Sequence, residues 1–177
     1  MCSSDLINNN KILEISLTER DAKYTWCGEA PDLIAKLPSE EQCYFVDANG
    51  YIFDIAPYFS GDVYFKFYGM ANSGTYFFKQ NFKQLILFRD TLALMGLKPV
   101  SLFMTNDGDV QIFLSGNTSS GIQPKIILKA DADFQNVAEN LQAALSTEPL
   151  QSKFKNNYSK LQYIDLRFGN KVYDKFQ

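Results

Sequence analysis

The chain has 177 residues; 46% are hydrophobic, 21% are charged, and the formal net charge is −3. This composition excludes a disordered chain and fits one globular domain, or one domain with a fragment attached. The 17 basic residues form no block, so we expect no nucleic-acid partner, because such binding rests on many phosphate contacts.

Histidine is absent, which removes several classes of chemistry. Serine and cysteine mechanisms with a histidine base are excluded, as are metal sites that need histidine. Three cysteines are too few for a zinc site with four thiolates. The sequence contains no phosphate-binding loop, dinucleotide-binding glycine pattern, nucleophile elbow or EF-hand loop. We therefore expect a protein that is not an enzyme and that uses no metal or other cofactor.

The start of the chain, residues 1–10, has no periodic pattern, and we expect foreign adapter sequence or a disordered segment there. Cys2 would then be irrelevant to the fold. No apolar run approaches the ~18–20 residues that a membrane helix needs, and no signal peptide is visible. From Leu13 to Glu19 apolar and polar residues alternate, which predicts a half-buried strand over residues 12–19.

Strands dominate the rest of the chain, in keeping with its 15% aromatic content. Turn residues at Asn49-Gly50, at positions 106–109 and at Gly169-Asn170 separate pairs of strands and predict three hairpins. The predicted strands cover residues 43–47, 51–55, 63–68, 101–105, 110–114, 125–128, 161–168 and 171–176.

Two helices interrupt these strands. Apolar residues at helical spacing predict one over residues 79–95, closed by Gly96 and Pro99. A second apolar stripe predicts a helix over residues 134–145, with Asp131 and Asp133 at its start as caps. Because the hairpins require antiparallel pairs, we predict an α+β fold: a curved, largely antiparallel sheet with two main helices packed on one face.

The residues near the C-terminus carry a family resemblance. Tyr163-Ile164-Asp165-Leu166-Arg167-Phe168 resembles the Tyr-[Val/Ile]-Asp-Leu-Arg-[Tyr/Phe] signature of the FtsQ/DivIB bacterial cell-division proteins. Residues 15–20 are similar to the last strand of that family's POTRA domain, although Asp21 and Ala22 stand where the family has a proline-like turn. Residues 45–53 are similar to its Val-Asp-x-x-Gly-x-Val-Phe hairpin, and residues 57–61 to its Pro-x-x-x-Gly stretch.

The resemblance covers residues 11–177 and implies the domain organisation. Residues 11–26 would be the last strand of a truncated POTRA-like domain, and residues 27–177 the β domain. The family implies a single-pass protein with its β domain outside the cell membrane, at the division septum. Since the tail, the membrane helix and most of the POTRA domain have no counterpart here, we expect an N-terminally truncated member.

The resemblance also implies a partner site at the C-terminal hairpin, which in the family binds FtsB of the FtsB–FtsL coiled coil. A terminal strand tends to be a sheet edge, and such an edge can recruit another chain by strand addition. Phe168 and Phe176 would be the apolar anchors; alternatively, their rings fill the core. The expected partner-binding residues are Phe168, Gly169, Asn170, Lys171, Val172, Tyr173 and Phe176.

Asp165 and Arg167 share one face of their strand, opposite Ile164, Leu166 and Phe168. One interpretation is a loose charge pair on a solvated face, worth ~0–1 kcal/mol. The other is a pair that orients the last hairpin for binding; together with Tyr163 and Leu166 it forms the family motif.

Cys27 and Cys43 lie 16 residues apart, each beside an aromatic residue. Because the family is extracytoplasmic, we expect a disulfide between them; the alternative is two free, buried thiols. For Asp47, Asp54, Asp107 and Asp109, a role in turns is simpler than catalysis or Ca²⁺ binding.

Two other functions compete with the scaffold. The first is an extracytoplasmic module that binds a peptide or a glycan on an aromatic face. The second is a carboxylate-dependent cell-wall hydrolase, which would need two acids ~5–9.5 Å apart in a cleft.

Overall fold

The computed structural model describes residues 2–7, 12–29, 42–59, 63–116 and 123–177. Within these ranges the chain forms eleven β-strands and three α-helices. In chain order they are β1 (Cys2–Ile7), β2 (Ile12–Leu17), β3 (Tyr24–Trp26), β4 (Cys43–Val46), β5 (Ile52–Ala56), β6 (Lys66–Tyr68), α1 (Phe82–Leu94), β7 (Pro99–Met104), β8 (Asp109–Leu114), β9 (Lys125–Lys129), α2 (Phe134–Leu145), α3 (Leu150–Asn157), β10 (Leu161–Phe168) and β11 (Lys171–Phe176).

Nine of the strands form one open sheet in the order β11-β10-β9-β8-β7-β6-β3-β4-β5, while β1 and β2 form a separate antiparallel pair. Three neighbouring pairs in the large sheet are parallel (β10 with β9, β7 with β6, β6 with β3), and the other five are antiparallel. The predicted α+β fold with a largely antiparallel sheet is confirmed. Within the described residues, no helix is both long and apolar enough to cross a membrane.

Three elements differ from the sequence-based expectation. Cys2–Ile7, expected to be foreign or disordered, forms β1 and pairs along its whole length with β2. Tyr24–Trp26, assigned to the preceding domain, lies inside the large sheet between β6 and β4. A third helix, Leu150–Asn157, joins the two that were predicted, and it was missed because Leu150 is its one buried residue.

The core lies between the sheet and the helices. Leu102, Ile112, Ile126 and Ile164 face one another across four strands and are fully buried. The two main helices pack together above this core, with the rings of Phe88 and Phe134 5.8 Å apart. Asp133 caps α2 as predicted, since its carboxylate accepts hydrogen bonds from the N–H groups of Gln135 and Asn136.

The edge strand β5 has much of its backbone already engaged. The Ile52 N–H donates to the Thr75 carbonyl at 2.9 Å, and the Gly74 N–H donates to the Ile52 carbonyl at 2.9 Å. Further along, the Ile55 N–H donates to the Asp54 carboxylate at 2.8 Å, beyond a register shift in the β4–β5 pairing. These bonds engage backbone groups along β5 that an incoming strand would otherwise use.

Candidate functional site: the β11 edge

The strand β11 lies at the other edge of the large sheet, where it pairs with β10. The hairpin turn between them is Gly169-Asn170, and Gly169 has a φ of 66°, which a tight reversal of this kind demands. Among the described residues, no strand pairs with the other side of β11. The predicted edge position of residues 171–176 is therefore present in the structure.

The direction of the free backbone groups follows from the ladder. The Gln177 N–H donates to the Lys160 carbonyl at 2.9 Å, so Gln177 faces β10. In an antiparallel pair the residues of a strand alternate between facing the partner strand and facing away. The N–H and C=O groups of Val172, Asp174 and Phe176 therefore point away from β10, toward the space that an added strand would occupy.

The side chains of β11 alternate with the same period of two. Val172, Asp174 and Phe176 are half-buried on the helix face, and Val172 and Phe176 pack against the core. Asp174 accepts a hydrogen bond from Lys153 of α3 at 3.0 Å. Phe176, predicted to be an anchor for the partner, packs against the core instead, because its register partner Leu161 is itself a core residue.

Phe168 and Tyr173 form the exposed apolar surface of this hairpin. They are 55% and 48% exposed, and their rings meet edge-to-face with centroids 5.3 Å apart. The expectation that Phe168 shares a face with Ile164 was wrong. The β10–β11 register shifts between Asp165 and Phe168, and this irregularity turns the ring out of the apolar face.

Asp165 and Arg167 belong to a partly buried charge network at the end of β10. Arg167 forms a double hydrogen bond with the Asp165 carboxylate, at 2.9 and 2.6 Å, and a third with Asp109 of β8 at 2.6 Å. Asp109 also accepts a hydrogen bond from Lys129 of β9 at 2.6 Å. Asp165 is only 6% exposed, so the interpretation as a loose pair on a solvated strand face was wrong.

The network keeps its carboxylates ionised. For Asp109, the hydrogen bond from Lys129 lowers the pKa against the opposing effect of burial, and Arg167 adds to the lowering. For Asp165, burial acts to raise the pKa, but the hydrogen bonds and charge of Arg167 prevail and lower it overall. The hydrogen bonds that Arg167 donates to Asp165 and Asp109 raise its own pKa in turn.

The network ties three strands together beside the irregularity that exposes Phe168. One guanidinium group links β10 to β8, and Lys129 links β8 to β9. Because a planar guanidinium holds two carboxylates in fixed directions, it also fixes the end of β10 where the hairpin begins. The arrangement suits the second interpretation, in which Asp165 and Arg167 orient the last hairpin.

Cys27 and Cys43 are joined by a disulfide bond. The bond follows from the strand register: Trp26 lies opposite Tyr44, so the next pair along the ladder is Cys27 and Cys43, with Cα atoms 4.1 Å apart. This distance is close to that of directly opposed residues in an antiparallel pair. The disulfide thus fixes the pairing of β3 with β4 near one end.

The four aspartates differ in their roles, and Asp107 lies in the turn between β7 and β8. Asp47 serves a turn as predicted, because its carboxylate accepts hydrogen bonds from the N–H groups of Asn49 and Tyr51. Asp54 binds the neighbouring amide of Ile55. Asp109 differs from the prediction, since its main partners are Arg167 and Lys129 rather than the turn. Within the described residues, no cluster of potential metal ligands is present.

Sequence reasoning missed Asp109, Lys129 and the pairing of Phe168 with Tyr173. Asp109 and Arg167 are 58 residues apart, and no local pattern joins them.

Comparison with known proteins adds no family assignment. No protein-family model matches the chain, and no curated protein matches it.

Proposed function

We propose that this chain is the β domain of a cell-division scaffold of the FtsQ/DivIB type, and that it is not an enzyme. In this proposal the free side of β11 accepts an extended segment of an FtsB/FtsL-type partner, whose backbone continues the sheet by strand addition. The observation that carries the proposal is the edge position of β11, directly after the signature at residues 163–168.

The exposed side chains support the same surface. Phe168 and Tyr173 present a pair of rings on one side of the edge, flanked by the exposed Lys171. Aromatic side chains of this kind dominate binding energies at interfaces when a partner covers them. Backbone bonds along β11 would supply affinity, and this aromatic pair would supply specificity.

The disulfide supports the proposed location. Bonds such as Cys27–Cys43 persist in oxidising compartments and are rare in the cytosol, which agrees with a domain on the extracytoplasmic face of the cell membrane. In the proposal the full-length protein reaches that face through one membrane helix and acts at the division septum.

The charge network argues against the hydrolase alternative at this site. A glycosidase needs one carboxyl group whose pKa is raised, so that it can donate a proton. Asp109 and Asp165 have lowered pKa values and share one arginine, so both are held as anions. This pair is suited to holding the fold together rather than to acid catalysis.

The proposal is tested at the backbone by two variants of one residue. Asp174→Pro removes an N–H that faces the added strand, and edge strands tolerate proline at such positions. Asp174→Ala loses the same contact with Lys153 but keeps the N–H. With the extracytoplasmic segment of the FtsB-type protein from the same genome, we expect Asp174→Pro to abolish binding and Asp174→Ala to retain it. Equal binding by the two variants would place the interface elsewhere.

The aromatic pair is tested separately. Phe168→Ala and Tyr173→Ala should each weaken partner binding about tenfold or more, because both rings are exposed and free to be covered. Tyr76→Ala is the matched control, since Tyr76 is 41% exposed and lies away from β11. Circular dichroism checks that each variant is folded. A loss of binding in Tyr76→Ala equal to that in Tyr173→Ala would contradict the assignment.

A further inference from the structure

A second surface lies between α1 and α2, where a groove of about 620 Å³ opens. Its floor is apolar and includes Phe88, Phe134 and Ala138, all of which are buried. Leu87 stands on its rim and is 65% exposed. Neither β11 nor the charge network lines this groove, so it is a separate feature of the helix layer.

The composition of α1 is unusual for a helix with one face toward solvent. Phe82, Leu85, Phe88 and Leu92 are buried, as the core requires. Yet its solvent side carries two further leucines, Leu87 and Leu94, and Leu94 is 88% exposed. These two leucines are seven residues apart and therefore share one side of the helix. The exposed surface of α1 also carries Lys83, Gln84 and Asp90, and exposed leucines within such a surface are suited to contact with another element.

The charges at the groove have one sign. Asp133 and Glu139 of the α2 segment line it, and none of the described lining residues is Lys or Arg. Asp133 binds the first N–H groups of α2, and Glu139 accepts a hydrogen bond from Gln135 at 3.1 Å. Both carboxylates are exposed at the groove mouth. A bound element therefore meets an apolar floor with negative charge beside it.

We propose that this groove binds an amphipathic helix of a partner protein, with an apolar face of leucine-like residues and lysine or arginine beside that face. The apolar floor and the exposed Leu87 would contact the apolar face of the bound helix, as in helix-in-groove recognition. The carboxylates of Asp133 and Glu139 would pair with the basic residues beside that face. A groove along the 13 residues of α1 is ~20 Å long, which corresponds to three to four turns of bound helix. The site is independent of strand addition at β11.

The charges also disfavour two other occupants. A second copy of this chain, placed groove to groove, would add its own Asp133 and Glu139 to the interface, with no Lys or Arg among the described lining residues to balance them. A membrane surface with anionic lipids would be repelled in the same way. A basic helix is the occupant that turns these carboxylates into favourable contacts.

The test uses two synthetic 14-residue helices with the same leucine face, one with lysine on its polar face and one with glutamate. Fluorescence anisotropy of the labelled peptides, at ~0.15 M salt where long-range attraction is screened, measures their affinities. We expect the lysine peptide to bind at least about tenfold more tightly than the glutamate peptide. Leu87→Ser should weaken the lysine peptide about tenfold, and Glu139→Lys about fivefold or more, while Glu139→Lys improves binding of the glutamate peptide.

Two matched controls distinguish groove binding from general attraction to an acidic protein. Glu19→Lys makes the same charge change at an exposed position before β3, and Ile55→Ser removes an exposed apolar side chain from β5. Neither should change binding more than about twofold if the groove is the site. The proposal is overturned if either control weakens the lysine peptide as much as its groove counterpart, or if both peptides bind equally. It is also overturned if sedimentation shows a dimer that Leu87→Ser dissociates.

A photo-crosslinking lysine peptide gives a readout that does not depend on the variants. We expect its label on the unmodified protein to appear within residues 82–95 and 132–142, the two segments that form the groove. A label mainly on β11 or on β5 would also overturn the proposal.

Discussion

Arg20 reaches across 27 residues of chain to Asp47, and its guanidinium group donates a hydrogen bond to the Asp47 carboxylate, whose side chain is only 9% exposed. The other oxygen of Asp47 is held by the N–H groups of Asn49 and Tyr51. The guanidinium also lies 4.3 Å from the centre of the Tyr51 ring. The segment that follows β2 is therefore fastened to the β4–β5 hairpin by a charge pair and a cation–π contact.

A double-mutant cycle on Arg20→Ala and Asp47→Asn should show a coupling free energy of about 1 kcal/mol in urea unfolding. The value is modest because the Arg20 side chain is 40% exposed. Lys23 and Asp21 form a matched control pair at 2.5 Å, with both side chains at least half exposed, and their cycle should give nearly zero. Equal coupling in the two cycles would mean that the burial of Asp47 adds nothing.

The charge network predicts a dependence of stability on pH. The pKa values of Asp109 and Asp165 are lowered from 3.8 on folding, so the folded chain binds fewer protons. Their contribution is present above the unfolded-state pKa and is lost as the pH falls through the folded-state values. We expect the free energy of unfolding to fall as the pH is lowered from 5 toward 3, measured by urea titration at each pH.

Arg167→Met should weaken that pH dependence, because the cation that lowers the pKa of Asp165 is gone and Asp109 keeps only Lys129. At pH 7 the variant should lose about 2 kcal/mol, since Asp165 is then buried without its partner. If the variant keeps the full pH dependence of the natural chain, other groups are responsible for it.

The disulfide predicts a loss of stability on reduction. A bond that closes a loop of 16 residues contributes about 3 kcal/mol. The double variant Cys27→Ala/Cys43→Ala should therefore unfold at lower urea concentration, and added reductant should change the natural chain but not the variant. In the unfolded, unreduced chain, thiol titration should find one reactive group, that of Cys2; three reactive thiols would contradict the pairing.

We predict that alanine destabilises the fold more at Gly50 than at Gly108. Both have positive φ, at 84° and 77°. A Cβ on Gly50 would lie 2.8 Å from the Phe77 carbonyl oxygen and from the Phe82 ring, whereas one on Gly108 would meet nothing within 4 Å. Gly108→Ala should cost about 1 kcal/mol from backbone strain alone. Gly50→Ala should cost at least about 1 kcal/mol more from overpacking, measured by thermal unfolding.

The sequence predicted those helices and hairpins that depend on residues close together in the chain. The α2 stripe with its Asp133 cap and the terminal hairpin around Gly169 both follow from spacing and turn chemistry over a few residues. β3 was missed because three residues are too short for a periodic pattern, and its position depends on strands that begin 17 or more residues after it ends.

The sequence predicted that the candidate site lies on an edge strand, but not which of its side chains are exposed or buried. An edge strand at the chain end follows from chain order, and the alternation within β11 follows from its period of two. The exposure of Phe168 depends on an irregularity in the pairing with β11, and the burial of Asp165 depends on Asp109 and Lys129 from other strands. Such facts are set by tertiary register, which a single stretch of sequence does not contain.

The engaged backbone of β5 has a consequence for assembly. A sheet with two free edges can polymerise, because one edge strand of each copy can pair with the opposite edge strand of the next copy. Such head-to-tail pairing builds an open filament. Here the Thr75 carbonyl and the Asp54 carboxylate already hold the amides of Ile52 and Ile55. In the proposed function a guest strand extends the sheet beyond β11, while the engaged amides of β5 disfavour the addition of a second molecule at the opposite edge.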